Sequence, residues 1–179
     1  MGVLSELKPQ KVFEYFEQIC QIPHGSGNEA AISNYLVQFA KSHDLEHYQD
    51  QANNVIIIKE ASQGYENEEP ILIQGHMDMV AVKEKDCDID MTKDPLRLRV
   101  DGDIVYAEGT SLGGDDGIAV AYALAILSDD SISHPRLEVI ITTDEEVGMC
   151  GARVIDLSML KGRRLQTTSA KGFQILPFQ

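Results

Sequence analysis

Six residues in three short stretches have the types and spacing to do chemistry together. His76 and Asp78 stand two apart in Gly75-His76-Met77-Asp78. Asp115 and Asp116 adjoin in a glycine-rich run, and Glu145 and Glu146 adjoin in Thr143-Asp144-Glu145-Glu146. One imidazole and several carboxylates make a donor set for hard or borderline divalent cations. Residues two apart in an extended segment point the same way. Asp78 can therefore hold one ring nitrogen of His76 and leave the other for a metal. A carboxylate bridging two cations, with a spare one as general base, would complete a two-metal hydrolytic site. Each pair by itself also has a plainer reading: a surface His with a solvated Asp, two acids on a helix dipole, a solvated strand end. The occurrence of all three, each at the end of a strand or loop, favours the metal reading.

The elements that must position these residues follow from periodicity. Ile71-Leu72-Ile73 is a continuous apolar run, which suits a strand buried on both faces, and Leu137 to Thr142, LEVIIT, reads as another buried strand. They lead into His76 and into Glu145. Sites in open α/β sheets form outside the carboxyl ends of the strands, where the first and third pairs fall. Gly113, Gly114 and Gly117 let the loop around Asp115 bend sharply before a long apolar helix at Ile118 to Leu127. Apolar spacing predicts a helix over 9–20. Ser26 and Glu29 match a capping box for a second helix over 28–43. Val55 to Ile58 reads as a strand, Leu45 to Gln49 as a weakly alternating one, and 82–94 as an irregular acid-rich excursion. Leu96 to Val100 and Ile104 to Ala107 form a hairpin about Asp101-Gly102-Asp103. A short helix is expected over 154–160 and a strand from about Arg163. The alternation of helices and buried strands predicts an α/β fold with a mixed, mostly parallel sheet flanked by helices. His24 reads as a loop surface residue rather than a substrate contact. His43 and His47 read as surface residues flanking the second helix, and His134-Pro135 as a turn.

Composition narrows the function. A chain of 179 residues suits one domain, and 43% hydrophobic with 25% charged residues suits a real core. A net charge of −14 argues against nucleic acid, whose phosphates would be repelled. Cys20, Cys87 and Cys150 are odd in number and far apart, which fits neither a disulfide framework nor a cysteine zinc site. A reducing cytoplasm is expected. The first residues lack a basic segment followed by an apolar one, and Glu6 stands where a myristoylation motif takes Ser or Thr. No apolar run reaches bilayer length, so no membrane partner is expected.

Three stretches carry a family resemblance: GHMDMV, EGTSLGGDDGIAVAYALAIL and LEVIITTDEEVGMCGA. Together they resemble the dinuclear zinc aminoacylase and dipeptidase family, and within it the Xaa-His dipeptidases, over about Leu7 to Leu165. The resemblance implies a zinc-peptidase-like catalytic domain with two Zn2+ ions, Mn2+ or Co2+ being alternatives. It implies that His76 ligates one metal with Asp78 orienting it, that Asp115 bridges both, and that the Asp115–Asp116 peptide bond is cis. It implies Glu145 as general base and acid, Glu146 as ligand to the second metal, and a dipeptide substrate. A deacylase of the same family is the alternative activity. The chain departs from the family after Arg163-Arg164-Leu165, where the family runs into a strand ending Asp-Ser-Glu whose Asp is a further ligand. No acid follows Asp156 here. The family's lid or dimerisation domain and distal His also have no counterpart. The expectation is therefore an N-terminal part of the catalytic domain over 1–165, incomplete at its C-terminal side, and a divergent tail over 166–179. Hydrolysis by such a chain is expected to be slow or absent, with a non-catalytic metal-binding fragment as the competing reading. A homodimer is implied only for the full-length family member.

Overall fold

The computed structural model describes residues 2–167 and 174–177. In chain order it contains α1 (Gln10–Cys20), α2 (Ala30–Ser42), β1 (Glu46–Gln49), β2 (Val55–Lys59), β3 (Ile71–His76), β4 (Leu98–Asp101), β5 (Ile104–Ala107), α3 (Gly114–Leu127), β6 (Leu137–Thr142), β7 (Arg164–Thr167) and β8 (Gln174–Pro177). All six residues of β6 are buried, as befits a strand covered on both faces, Glu138 included. The main sheet has the order β1-β2-β6-β3-β7-β8, and β4 and β5 form the separate hairpin that their alternation predicts. β3 runs parallel to both β6 and β7. β2 is antiparallel to β1 and β6, and β8 is antiparallel to β7. Four strands, β1, β3, β6 and β7, thus share one direction, and the sheet is mixed and mostly parallel.

One face of the sheet, bearing Val55, Ile57, Leu137, Val139 and Ile141, packs into a single cluster with the apolar stripes of all three helices. Each fully buried Leu or Ile there contributes about 1.5–3 kcal/mol. α3 is apolar on all sides and mostly buried, lying against α1 and β3. The opposite face carries Ile56, Leu72 and Ile140, and the chain after β6 returns over it, Gly162 lying against Leu72. Glu138 is fully buried in the middle strand. Arg136 Nε donates to it at 2.7 Å, and the backbone N–H groups of Lys161 and Gly162 donate at 2.9 Å, so the buried charge is satisfied.

Two local expectations are corrected. The capping box does not form. α2 starts at Ala30 with no side-chain cap. Ser26 Oγ instead donates to Asp78 Oδ2 at 2.8 Å, and Glu29 Oε1 accepts from the backbone N–H groups of Gly27 and Asp144. A buried carboxylate draws a hydroxyl donor more strongly than a helix end that water can reach. The short helix expected over 154–160 is also absent. A 3-10 turn occupies Gly151–Arg153, and Asp156 Oδ1 accepts from the Ser158 N–H at 2.9 Å, a local turn that competes with helix. Of the segment read as a divergent tail, 166–167 lie in β7 and 174–177 in β8, and residues 168–173 and 178–179 lie outside the described residues. Among the described residues, no helix is long and apolar enough to cross a membrane.

Candidate metal centre

The parallel register of β3 on β6 pairs His76 with Thr142. The residues that follow each strand therefore emerge side by side at the carboxyl end of the sheet. The Met77 N–H donates to the Thr142 carbonyl at 2.9 Å and keeps the two segments together past the strand ends. The chain beyond is pinned to the loop before α2: the Met79 N–H donates to the His24 carbonyl at 3.1 Å, and the Ser26 N–H to the Met79 carbonyl at 3.2 Å.

His76 is buried, and its two ring nitrogens have different surroundings. Nδ1 lies 2.9 Å from the Asp78 carbonyl and 3.4 Å from Asp78 Oδ1. A carbonyl can only accept, so Nδ1 carries a hydrogen, and when the ring is neutral, as a metal ligand must be, Nε2 is the nitrogen with the free lone pair. Nε2 faces Asp115 Oδ1 at 3.4 Å and Glu145 Oε2 at 3.9 Å. One ligand atom each from His76, Glu145 and Glu146 all lie within 4.8 Å of one another.

Asp115 reaches the cluster because the start of α3 is not regular helix. Gly113 has φ 71°, a left-handed conformation suited to glycine. Asp115 and Asp116 depart from helical angles, and the peptide bond between them is cis, as the resemblance implied. Asp116 is buried and ties this loop to β3: its Oδ2 accepts from the His76 N–H at 3.2 Å. The approach needs a glycine at position 75, where a Cβ would stand 2.7 Å from Asp116 Oδ2.

Asp78 organises the other side. Its carboxylate, fully buried, accepts from Ser26 Oγ at 2.8 Å, the Glu145 N–H at 3.0 Å and the Glu146 N–H at 3.2 Å. Burial pushes its pKa up, but the hydrogen bonds from His76, Glu145, Ser26 and Glu146 outweigh it and hold the carboxyl at about 2. Burial likewise pulls the His76 pKa down. The bond to Asp78 and the negative charges of Asp116, Asp78 and Glu145 outweigh that and raise it to about 9. The Glu146 carboxyl is pushed up by desolvation and by the charges of Glu145, Asp115 and Asp78, against the opposing pull of His76. The centre thus holds more negative charge than one imidazolium can balance, and a divalent cation would relieve it.

All five residues expected at the site are brought to one place. The cluster of mutually close ligand atoms contains Glu145 as well as Glu146, so proximity by itself does not separate a ligand from a proton carrier. His24, expected on the loop surface, is buried at 3% exposure with Nδ1 2.6 Å from the Ile22 carbonyl, and burial lowers its pKa. The bridge between Gly25 and Met79 draws it inward. Sequence reading missed Ser26 as a support of Asp78, Glu29 as a support of Asp144, and Asn54 altogether. The partners of Ser26 and Asn54 lie 52 and 89 residues away, so no local pattern signals them.

The model of the peptidase family M20/M25/M40 matches residues 72–170, a span that contains the whole centre. The cytosol non-specific dipeptidase of Escherichia coli (strain K12) is 45% identical over 152 residues, covering 85% of this chain and 31% of that protein. Among solved structures, the aminoacylhistidine dipeptidase from Vibrio alginolyticus superposes with a TM-score of 0.90 at 41% identity, over 93% of this chain and 34% of that one. The YXEP protein of Bacillus subtilis, described as a dinuclear metal binding peptidase from the M20 family, matches with a TM-score of 0.50 at 16% identity, over 79% of this chain and 37% of that one, a likeness of fold alone. The chain thus spans about a third of the length of these relatives.

Proposed function

This chain belongs to peptidase family M20/M25/M40, and from that premise we propose that its residues carry the metal-binding and proton-transfer face of a dipeptidase acting on Xaa-His dipeptides. The observation behind the reading is the two-sided His76, fixed by Asp78 through Nδ1 and turned by Nε2 toward Asp115 and Glu145. The donor set suits Zn2+, with Mn2+ or Co2+ as substitutes. His76 and Glu146 would each hold one of two ions, and Asp115 would lie between them. When bound, the ions supply Lewis acidity toward the scissile carbonyl and make water more acidic.

Asp78 keeps the His76 ring in one tautomer and orientation. Its grip on the Glu145 and Glu146 N–H groups also couples the ring to the loop bearing both acids. Glu145 lies a third exposed at the edge of the centre, where water and substrate can reach it. As general base its carboxylate takes a proton from water as the water oxygen bonds to the scissile carbon. It then returns that proton to the departing amine as the C–N bond breaks. Residues 1–165 are proposed as the N-terminal part of the catalytic domain, with 166–179 as the segment that departs from the family pattern. The cytosolic setting named for the Escherichia coli relative is proposed for this chain too.

The test combines zinc titration with assays on a panel of Xaa-His dipeptides. In the full-length family context Glu145→Gln is expected to keep zinc and lose turnover, whereas His76→Ala loses both. The further Asp ligand that the resemblance implies has no counterpart in residues 157–179. Zinc binding by the chain itself is therefore expected to be weak and its turnover slow. Zinc bound equally by wild type and His76→Ala would overturn the assignment.

A further inference from the structure

Glu145 and Glu146 sit on a loop, 143–151, whose two ends meet at one buried side chain outside it. Asn54, 1% exposed, stands just before β2. Its Oδ1 accepts from the Thr143 N–H at 3.1 Å, and its Nδ2 donates to the Gly151 carbonyl at 3.1 Å. The loop closes on itself above this point through Gly151 N–H to Thr143 O and Cys150 N–H to Asp144 O, both at 3.2 Å. Asn54 is braced in turn. Asp50 Oδ2 accepts from Asn54 Nδ2 at 2.7 Å, while Asp50 Oδ1 accepts from the N–H groups of Ala52 and Asn54 at 2.9 Å. Thr143 Oγ1 adds a bond to the Ala52 carbonyl at 3.0 Å. There is no slack in this arrangement: a Cβ on Gly151 would stand 2.4 Å from Asn54 Oδ1.

Asp78 holds the tip of the same loop through the Glu145 and Glu146 N–H groups. Those bonds alone would leave the loop free to pivot at its base. Ligand and proton-carrier geometry must be held to within about 0.5 Å for a site of this kind to work. We propose that Asn54, braced by Asp50, is a positioning residue that fixes the base of the 143–151 loop to the rigid end of β2 and so sets Glu145 and Glu146 against His76. This rests on the reading of His76, Glu145 and Glu146 as a metal centre.

The experiment uses the full chain and four variants. Asn54→Asp sets two carboxylates against each other at the 50–54 contact. The double variant Asp50→Asn/Asn54→Asp restores a donor–acceptor pair there and keeps an acceptor for the Thr143 N–H. Gly151→Ala pries the clamp apart without removing a partner. Glu138→Gln disturbs a buried polar network at the other end of β6 and serves as the stability control. The readouts are thermal midpoint, zinc affinity by chelator competition, and hydrogen exchange of the amides of 143–151.

Asn54→Asp and Gly151→Ala are expected to weaken zinc binding by about tenfold or more, the range for losing a residue behind a metal ligand. They should speed exchange at Glu145 and Glu146 with little change at β3. The double variant restores the 50–54 pair but leaves the Gly151 carbonyl facing a carboxylate oxygen, so it is expected to recover only part of both. Glu138→Gln should leave zinc affinity within about twofold even where its midpoint falls as far. Equal zinc losses in Asn54→Asp and Glu138→Gln at equal midpoint would overturn the proposal, as would unchanged loop exchange in Asn54→Asp. Failure of wild type to bind zinc would refute the metal reading instead, and the exchange data would still decide whether Asn54 holds the loop.

Discussion

Replacing Asp78 with Asn changes almost nothing in shape and removes one charge, so its consequences can be worked from the contacts. The carboxylate Oδ2 accepts from Ser26 Oγ and the Glu146 N–H, and Oδ1 accepts from the Glu145 N–H beside His76 Nδ1. An amide group must put its NH2 on one side. On the Oδ1 side it would face two donors. On the Oδ2 side the Ser26 hydroxyl can rotate to accept, and only the Glu146 N–H is left facing a donor. One unmade buried bond costs about 1–3 kcal/mol, and the remaining bonds lose their charge assistance. The sum is roughly 3 kcal/mol, which for a chain of this size is about 6–12 °C in thermal midpoint. The pH dependence has a definite sign. The folded pKa of Asp78 is depressed from 3.8 to about 2, so its contribution is present above 3.8 and lost as pH falls through 2. Thermal unfolding by circular dichroism, in chelator, should show the full gap between wild type and Asp78→Asn at pH 7. The gap should narrow in acid, beginning below about pH 4. A gap below about 2 °C at pH 7, or one that stays constant on acidification, would refute the account of Asp78 as a charged hub.

Two further predictions concern titration and reactivity. His76 has its folded pKa raised from 6.5 to about 9, so in chelator its contribution to stability is fully present below 6.5 and fades as pH rises through 9. The wild-type midpoint should fall over that interval more than that of His76→Asn, and a parallel decline in the two would count against the raised pKa. Burial, with a smaller push from Glu17, raises the Cys20 thiol to about 12, whereas Cys150 is exposed. Iodoacetamide on the native chain at about pH 8 should therefore alkylate Cys150 and spare Cys20, read by peptide mass spectrometry, with all three cysteines modified in denaturant. Alkylation of native Cys20 at the rate of Cys150 would show that α1 opens far more readily than its packing implies.

Much of this molecule is written locally. The 3.6-residue spacing of Val12, Phe16 and Ile19 specifies α1, and the largely apolar, β-branched Leu137 to Thr142 marks a buried strand. The parallel relation of β3 and β6 is enough to predict that His76 and Glu145 share one end of the sheet. Local pattern misled where a side chain had a distant competitor. Ser26 and Glu29 have the spacing of a capping box, but Asp78 and the Asp144 N–H take them. His24 lies in a polar loop and is nevertheless buried by the bridge from Gly25 to Met79.

The sequence by itself determined most of the element types and singled out the acids and imidazole as candidates, because periodicity and residue chemistry are properties of a few neighbouring positions. Only the tertiary structure decided which groups hold those residues in place. Asp78 gathers donors from Ser26, Glu145 and Glu146, and Asn54 ties Thr143 to Gly151 across 89 residues of chain. Such bonds are selected when the sheet register brings buried donors and acceptors within about 3 Å of each other and excludes the water that would otherwise satisfy them.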